Sequence, residues 1–371
     1  MVNLRNLLTL NLQDTYIVIQ AAGLGTRMWP LSKTNKPKQF YDLLSQGKTM
    51  LQMTFERFSE FVPRENIFVI SHDSYASLVT EQLPFLSPGN LILEPLRKNT
   101  APGFLYALKK IQLKNPNALV LQSNCDFHTN EGEKFAEDIK KMISYSRENA
   151  CMMVMGVKPA SLEPTFGFIQ IQTNKAVSDQ VYPVKTFADS AIPELITTFI
   201  RSGEFLWNTS LFCAPLSFLF NAYEEHAPDL LELFQDSGKW LNTKKEKPTL
   251  DKIYPLCRNV AFRFEILYKQ SKAFCFVGNF DFKRVINFNH LWEAHEKDYL
   301  GNAVNGSNVV VYNTSNSTIL APDHKLVVVD GLEDYIVVDS EDALLIAPKG
   351  DEEKLKNFYN DIKRIKGEKF T

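Results

Sequence analysis

Over the first 160 residues, short unbroken apolar runs alternate with longer segments whose apolar residues recur at helical spacing. The runs are TYIVIQ (15–20), NIFVI (66–70), NLILE (90–94), ALVLQS (118–123) and CMMVMGV (151–157). Each has the length of a strand and is too short for a stable helix. Between them, 49–61, 74–83, 101–113 and 131–147 predict helices, the last charged and amphipathic. Unbroken apolar strands separated by helices predict a Rossmann-like α/β fold: a mainly parallel sheet flanked by helices. Ligands of such sheets bind at the carboxyl ends of the strands, so the loops after Gln20, Glu94 and Ser123 fall on one functional edge.

The middle of the chain is less regular. Residues 166–172 and 181–187 predict strands flanking a turn, 192–201 a helix ended by Gly203, and 242–247 a lysine-rich loop. The pattern changes after Gly301. VVVY, STIL, KLVVV, YIVV and ALLIA predict short strands, with turns at Asn305–Gly306 and Asp330–Gly331. Residues 351–364 predict a helix with acids at its start and bases at its end, matching the helix dipole. The expected domains are an α/β unit over residues 1–300 and a small β-domain with a terminal helix over 301–371, consistent with the length of 371.

Composition narrows the functional classes. With 41 Lys+Arg against 43 Asp+Glu, the net charge of −2 gives no general electrostatic case for nucleic acid or an anionic membrane. No apolar run is long enough to span a bilayer, and residues 1–14 lack a signal-peptide core. The five cysteines, Cys125, Cys151, Cys213, Cys257 and Cys275, are scattered and odd in number, which fits a reducing compartment and a cytoplasmic setting. Cys125 and His128 lie close together, but no second ligand pair follows, so they do not make a zinc pattern. His128 reads as a surface histidine, with an outer contact to phosphate as the alternative.

The chemistry concentrates in AAGLGTRMWPLSKTNKPKQF (21–40), directly after the first strand. Gly23 and Gly25 let backbone amides approach a polyphosphate. Arg27 can grip phosphate oxygens bidentately, and Lys38 supplies a point charge. Pro30 and Pro37 stiffen the loop. A dinucleotide fingerprint would need glycine where Met28 stands, and a Walker A loop ending at Gly47-Lys48-Thr49 would need one at Asp42. Arg97 reads equally as a nucleotide contact or a solvated loop residue, and Trp207 as a pocket lining or a core residue.

This string resembles the signature of the sugar-1-phosphate nucleotidyltransferases. Trp29-Pro30-Leu31-Ser32 followed by Pro37-Lys38-Gln39-Phe40 is most similar to the mannose-1-phosphate guanylyltransferase branch. The resemblance continues through LEPLRKNTAP (93–102), FGFI (166–169), SGEFLWNTSLF (202–212) and GLEDYIVVDSEDALLIAPK (331–349), the last similar to a C-terminal β-helix-like domain. It implies a nucleotidyltransferase fold, GTP and a sugar 1-phosphate as substrates, Mg²⁺ as cofactor and a homodimer. Ala22, Gly23, Gly25, Thr26, Arg27, Glu94 and Asn99 would then meet the nucleotide. Gly167, Asp189 and Asn208 would meet the sugar. Arg27, Lys38 and Asp126 would be catalytic, with Asp126 holding the metal.

The sequence departs from that family on the metal and sugar-phosphate side. Asp126-Phe127 stands where the family usually has Asp-His, and Asp189-Ser190-Ala191 where it has Glu-Lys-Pro. Phe262-Arg263-Phe264, with Tyr268, replaces an Ile-Asp-Tyr pattern. Arg284 occupies the place of an aspartate that ligates the second metal, and no acidic residue lies between Lys283 and His290. Two accounts remain open: Arg284 or Arg263 takes over phosphate neutralisation while Asp126 and the GTP itself hold the metal, or the protein binds a nucleotide or nucleotide sugar without efficient turnover, in a regulatory role. A third, another sugar or base, is suggested by Ala22, where the guanylyltransferases usually have glycine. Asp281 is the nearby acid that would restore a ligand if it reached the site.

Overall fold

The computed structural model describes residues 12–163, 165–189, 193–350 and 352–371. The expectations for residues 1–11, Ser190, Ala191, Ile192 and Asp351 lie outside this range.

Each predicted run forms a strand. These are β1 (Thr15–Gln20), β2 (Ile67–His72), β3 (Leu91–Glu94), β4 (Leu119–Asn124) and, after a two-residue β5 (Phe127–His128), β6 (Met152–Val157). The helices between them are α1 (Met50–Ser59), α2 (Ala76–Gln82), α3 (Thr100–Lys114) and α4 (Gly132–Asn149). Three more strands follow: β7 (Phe168–Ile171), β8 (Val181–Ala188) and β9 (Phe205–Pro215), with α5 (Pro193–Ser202) between the last two. After them comes β10 (Ala273–Gly278), then the short β11 (Lys283–Arg284).

Among the described residues, nine strands form one sheet in the order β3-β2-β1-β4-β9-β6-β10-β8-β7. The first four strands of that order are mutually parallel, as is the β6–β10 pair. Strand β9 runs antiparallel to both β4 and β6, and β7 and β8 form an antiparallel hairpin. The sheet is therefore mixed beyond its parallel first half, because a hairpin reverses direction without a crossover helix. The loops after Gln20, Glu94 and Asn124 leave the parallel half at the carboxyl ends of its strands.

The period-two alternation of the strands separates two cores. Val18 and Phe68 pack with Phe104 and Leu108 of α3 on one face of the sheet. Ile17, Ile19 and Val69 pack with Phe55 and Phe58 of α1 and with Phe135 and Ile139 of α4 on the other.

From residue 303 the chain coils. Strands β12 (Ala303–Asn305), β14 (Thr318–Leu320) and β16 (Tyr335–Asp339) stack in parallel, Ala303 beside Thr318 and Thr318 beside Ile336. Strands β13 (Val309–Tyr312) and β15 (Val327–Asp330) stack beside them, and β17 (Leu344–Pro348) closes the edge antiparallel to β16. Successive parallel coils match the predicted β-helix-like unit. The helix Glu352–Lys366 ends in Lys363, Arg364 and Lys366, as its dipole favours. Its Leu355 and Tyr359 join Ile336, Val338 and Leu345 in a third core, to which the loop after β1 contributes Met28 and Trp29.

The predicted loop at 242–247 is helical from Glu246, at the start of Glu246–Ile253. Glu246 is pinned there by Lys110 at 2.7 Å and by the Tyr106 hydroxyl, contacts from α3 that local polarity does not foretell. All five cysteines are buried and unpaired. Among the described residues, no helix is long and apolar enough to cross a membrane.

Candidate active site

The loop after β1 is held in shape by its own side chains. Gly25 adopts φ +63°, and a Cβ there would lie 2.7 Å from Ser32 Oγ and 3.0 Å from the Lys38 side chain. Glycine is required on both counts, conformation and space. Ser32 Oγ donates to the Leu24 carbonyl at 2.7 Å and accepts from the Lys38 amide at 2.8 Å. The Gln39 amide donates to the carbonyls of Ala21 and Gly23 at 2.9 and 3.0 Å. Such bracing fixes the loop before any ligand arrives, so less entropy is lost on binding.

Two cavities open along this loop. One, of about 520 Å³, is lined by Ala22, Gly23, Gly25, Thr26, Lys38, Glu94, Asn99 and Asp126. Most of the predicted nucleotide residues thus share one space at the carboxyl ends of β1, β3 and β4. A wider cleft of about 980 Å³ is lined by Arg27, Lys38, Asp126, Gly167, Asp189, Arg263 and Arg284. Asn208 lines a smaller hollow of about 250 Å³ that also contains Asn99 and Arg284. The predicted sugar residues lie on this second side, with Gly167 packed so tightly that a Cβ would meet Asp189 Oδ1 at 2.8 Å.

Lys38 and Asp126 meet between the two spaces. Lys38 is buried and donates to the Val285 carbonyl at 2.7 Å, with its Nζ 3.5 Å from Asp126 Oδ2. Arg284 Nη2 donates to the same Oδ2 at 2.9 Å. The pairing arises from a short ladder in which β11 runs antiparallel to β5, Arg284 opposite Phe127, and the Val285 amide donates to the Asp126 carbonyl at 2.8 Å. Burial alone would raise the Asp126 carboxyl, but Arg284 and Lys38 outweigh it and hold it down to about 2.

This donor set does not fit a protein-held magnesium ion. Magnesium prefers several oxygen ligands, carboxylates among them. Here one Asp126 oxygen already accepts from a guanidinium, and an ammonium stands nearby. Among the described residues no group of three or more His, Cys, Asp or Glu side chains could hold a metal ion. Asp281 does not supply the missing ligand. It accepts from the Thr129 hydroxyl and from the amides of Asn130 and Glu131 at 2.9 and 3.2 Å, capping the turn into α4.

On the nucleotide side, Glu94 is buried. Burial pushes its carboxyl up to about 8, although the Tyr254 hydroxyl, donating at 3.3 Å, and Arg97 oppose the shift. Asn99 sits at φ +63° and caps α3, its side chain accepting from the Thr100 amide at 3.0 Å. Arg97, which the sequence reads either as a contact or as a solvated residue, lines the cavity and also braces it. It donates to the Ala22 carbonyl at 2.7 Å and to the Tyr75 hydroxyl at 2.6 Å.

On the sugar side, the Tyr268 hydroxyl donates to Asp189 Oδ1 at 2.8 Å and accepts weakly from the Asn208 amide at 3.4 Å. Arg263 approaches Asp189 at 3.7 Å. Sequence reasoning does not count Tyr268 among the site residues, and only its place after Phe262-Arg263-Phe264 hints at it. Trp207 is a core residue, edge-on to Phe166 with ring centroids 4.7 Å apart. His128, expected at the surface, is buried on β5, which turns it inward beneath Asn130.

These features set a braced glycine loop, two cations and a carboxylate between adjoining cavities at the carboxyl edge of the parallel strands. The family model for nucleotidyl transferase matches residues 16–251, and the chain belongs to that family. It is 29% identical over 354 residues to a mannose-1-phosphate guanylyltransferase of Escherichia coli, covering 93% of this chain and 75% of that protein. It is 26% identical over 354 residues to the alginate biosynthesis protein AlgA of Pseudomonas aeruginosa, covering 93% and 71%. A crystal structure described as mannose-1-phosphate geranyltransferase from Thermus thermophilus superposes with a TM-score of 0.82 at 23% identity, covering 95% of this chain and 100% of the other. That match establishes the shared fold.

Proposed function

We propose that this chain transfers GMP from GTP to mannose 1-phosphate, giving GDP-mannose and pyrophosphate. The observation that carries the reading is the junction of two cavities at Lys38 and Asp126. A braced glycine loop and the buried Glu94 lie on one side, and Asp189, Asn208 and Tyr268 on the other. The names of the relatives point to mannose 1-phosphate and a guanylyl group. In this reading residues 1–300 carry the reaction, and residues 301–371 support the loop through the core shared with Met28 and Trp29.

An oxygen of the sugar phosphate attacks the α-phosphorus of the nucleotide. A new P–O bond forms, the bond to the β-phosphate oxygen breaks, and its electron pair leaves on pyrophosphate. The protein's part is alignment and charge neutralisation, not covalent chemistry. Backbone amides at Gly23 and Gly25 and the side chains of Arg27 and Lys38 face the phosphate chain. Tyr268 and Asn208 orient the acceptor sugar through the Asp189 network.

Pyrophosphate release tests this directly, using GTP and mannose 1-phosphate with other nucleotides and sugar 1-phosphates as controls. Release specific to that pair, lost in Lys38→Ala, is the expected result. A second reading, nucleotide-sugar binding without turnover, is favoured by the Arg284–Asp126 bridge where a metal ligand would serve catalysis. No release from any pair, with GDP-mannose still binding by calorimetry, would select that second reading.

A further inference from the structure

We propose that Arg284 and Lys38 form a fixed two-cation clamp for the nucleotide's phosphate chain, and that Asp126 braces this clamp rather than ligating a metal ion. The inference rests on the proposed function only in taking phosphates into the cleft; it does not depend on turnover.

Four observations carry it. First, the placement: Lys38 and Asp126 line both the 520 Å³ cavity and the 980 Å³ cleft, and Arg284 lines the cleft and the hollow beside Asn208. The two cations therefore stand where the two substrates' phosphates must meet. Second, the charge: two cations share one carboxylate oxygen, which leaves a net positive charge in a largely desolvated place. Third, the unmet hydrogen-bonding capacity: Arg284 uses Nη2 on Asp126, while its Nε is buried with no partner. A buried N–H without an acceptor is costly unless a ligand supplies one.

Fourth, both cations are held in place. Lys38 Nζ is tied to the Val285 carbonyl at 2.7 Å. The Arg284 guanidinium lies 5.6 Å from the centre of the Phe166 ring, which is itself stacked on His290 at 5.3 Å. His290 in turn faces Glu163 at 3.0 Å. Preorganised cations act on developing charge without reorganisation at the moment of reaction. A hard divalent ion on the remaining Asp126 oxygen would sit beside the guanidinium and the ammonium, a repulsive arrangement.

The test uses the full chain and two probes. Mn²⁺ is titrated without nucleotide and followed by electron paramagnetic resonance. Inorganic triphosphate is titrated by calorimetry in excess EDTA. The wild type is expected to bind triphosphate without metal and to show no stoichiometric Mn²⁺ site at submillimolar concentration. Arg284→Gln should weaken triphosphate binding at least tenfold, and Arg284→Lys should weaken it less. Stoichiometric Mn²⁺ binding abolished in Asp126→Asn would overturn the proposal, as would wild-type triphosphate binding that requires metal or that Arg284→Gln leaves unchanged. The lysine variant keeps the test decisive if the glutamine variant fails to fold. GMP transfer failing while triphosphate binding behaves as expected would sink the reaction and leave the clamp standing. Transfer succeeding with a Mn²⁺ site on Asp126 would do the reverse.

Discussion

Arg284 Nη2 lies 2.9 Å from Asp126 Oδ2, across the two-strand ladder that joins residues 158 positions apart in the chain. The contact converts a carboxylate that could ligate a cation into one already neutralised. Because Lys38 approaches the same oxygen, the cleft centre is positive before any substrate arrives. A centre of that charge suits polyphosphate more than free metal.

The Gly25 conformation is the first point at which to probe the loop. Gly25→Ala must hold an L side chain at φ +63°, which costs about 1–2 kcal/mol. Its Cβ also presses on Ser32 Oγ and Lys38. The expected outcome is a lowered Tm with at least tenfold weaker GTP binding by calorimetry. Unchanged affinity would mean the loop does not shape the nucleotide site.

Glu94 makes stability depend on pH in a defined window. Burial raises its carboxyl from 4.5 to about 8, so between those values the folded protein keeps a proton that the unfolded chain has lost. The folded state then binds more protons, and unfolding free energy falls as pH rises through the window, levelling above about pH 8. Denaturant unfolding at a series of pH values should show that fall in the wild type and a flatter profile in Glu94→Gln. Equal slopes in both proteins would remove Glu94 as the source.

Tyr268 is expected to act on the acceptor alone. Tyr268→Phe deletes the hydroxyl that donates to Asp189 at 2.8 Å, an interaction on the order of 1–2 kcal/mol. KM for mannose 1-phosphate should rise about tenfold, as that energy implies, while KM for GTP stays put. A matching rise in both constants would point to general damage to the fold.

The C-terminal segment should support the catalytic loop. Trp29 Nε1 donates to the Phe370 carbonyl at 2.7 Å, and Trp29 packs in the core beneath the terminal helix. Trp29→Phe loses the hydrogen bond, at a cost of about 1 kcal/mol, and leaves space where the larger indole packed, which adds to the loss. Hydrogen exchange across residues 21–40 should quicken along with a small loss in Tm. Protection that stays the same would show the two segments to be energetically independent.

The sequence by itself determined the elements of the parallel half, the coiled C-terminal strands and the loop that carries the glycines, Arg27 and Lys38. Those features depend on local periodicity and turn chemistry, which neighbouring residues encode directly. It also put Gly167, Asp189 and Asn208 in a group apart from the nucleotide residues, by resemblance; the cavities do not keep the groups wholly apart, since Gly23, Gly25, Thr26 and Arg27 share the wide cleft with Gly167 and Asp189, and Asn99 shares the smaller hollow with Asn208. Tertiary structure alone decided what Asp126, Arg97, Asp281 and Tyr268 do. Asp126 is paired by a ladder from the far end of the chain, and Arg97 is drawn onto the loop by the Ala22 carbonyl. Asp281 is consumed as a cap, and Tyr268 is carried to Asp189 from 79 residues away. A charged side chain's role depends on which opposite charges and unpaired amides lie within a few ångströms of it, and the folding of distant segments sets those distances.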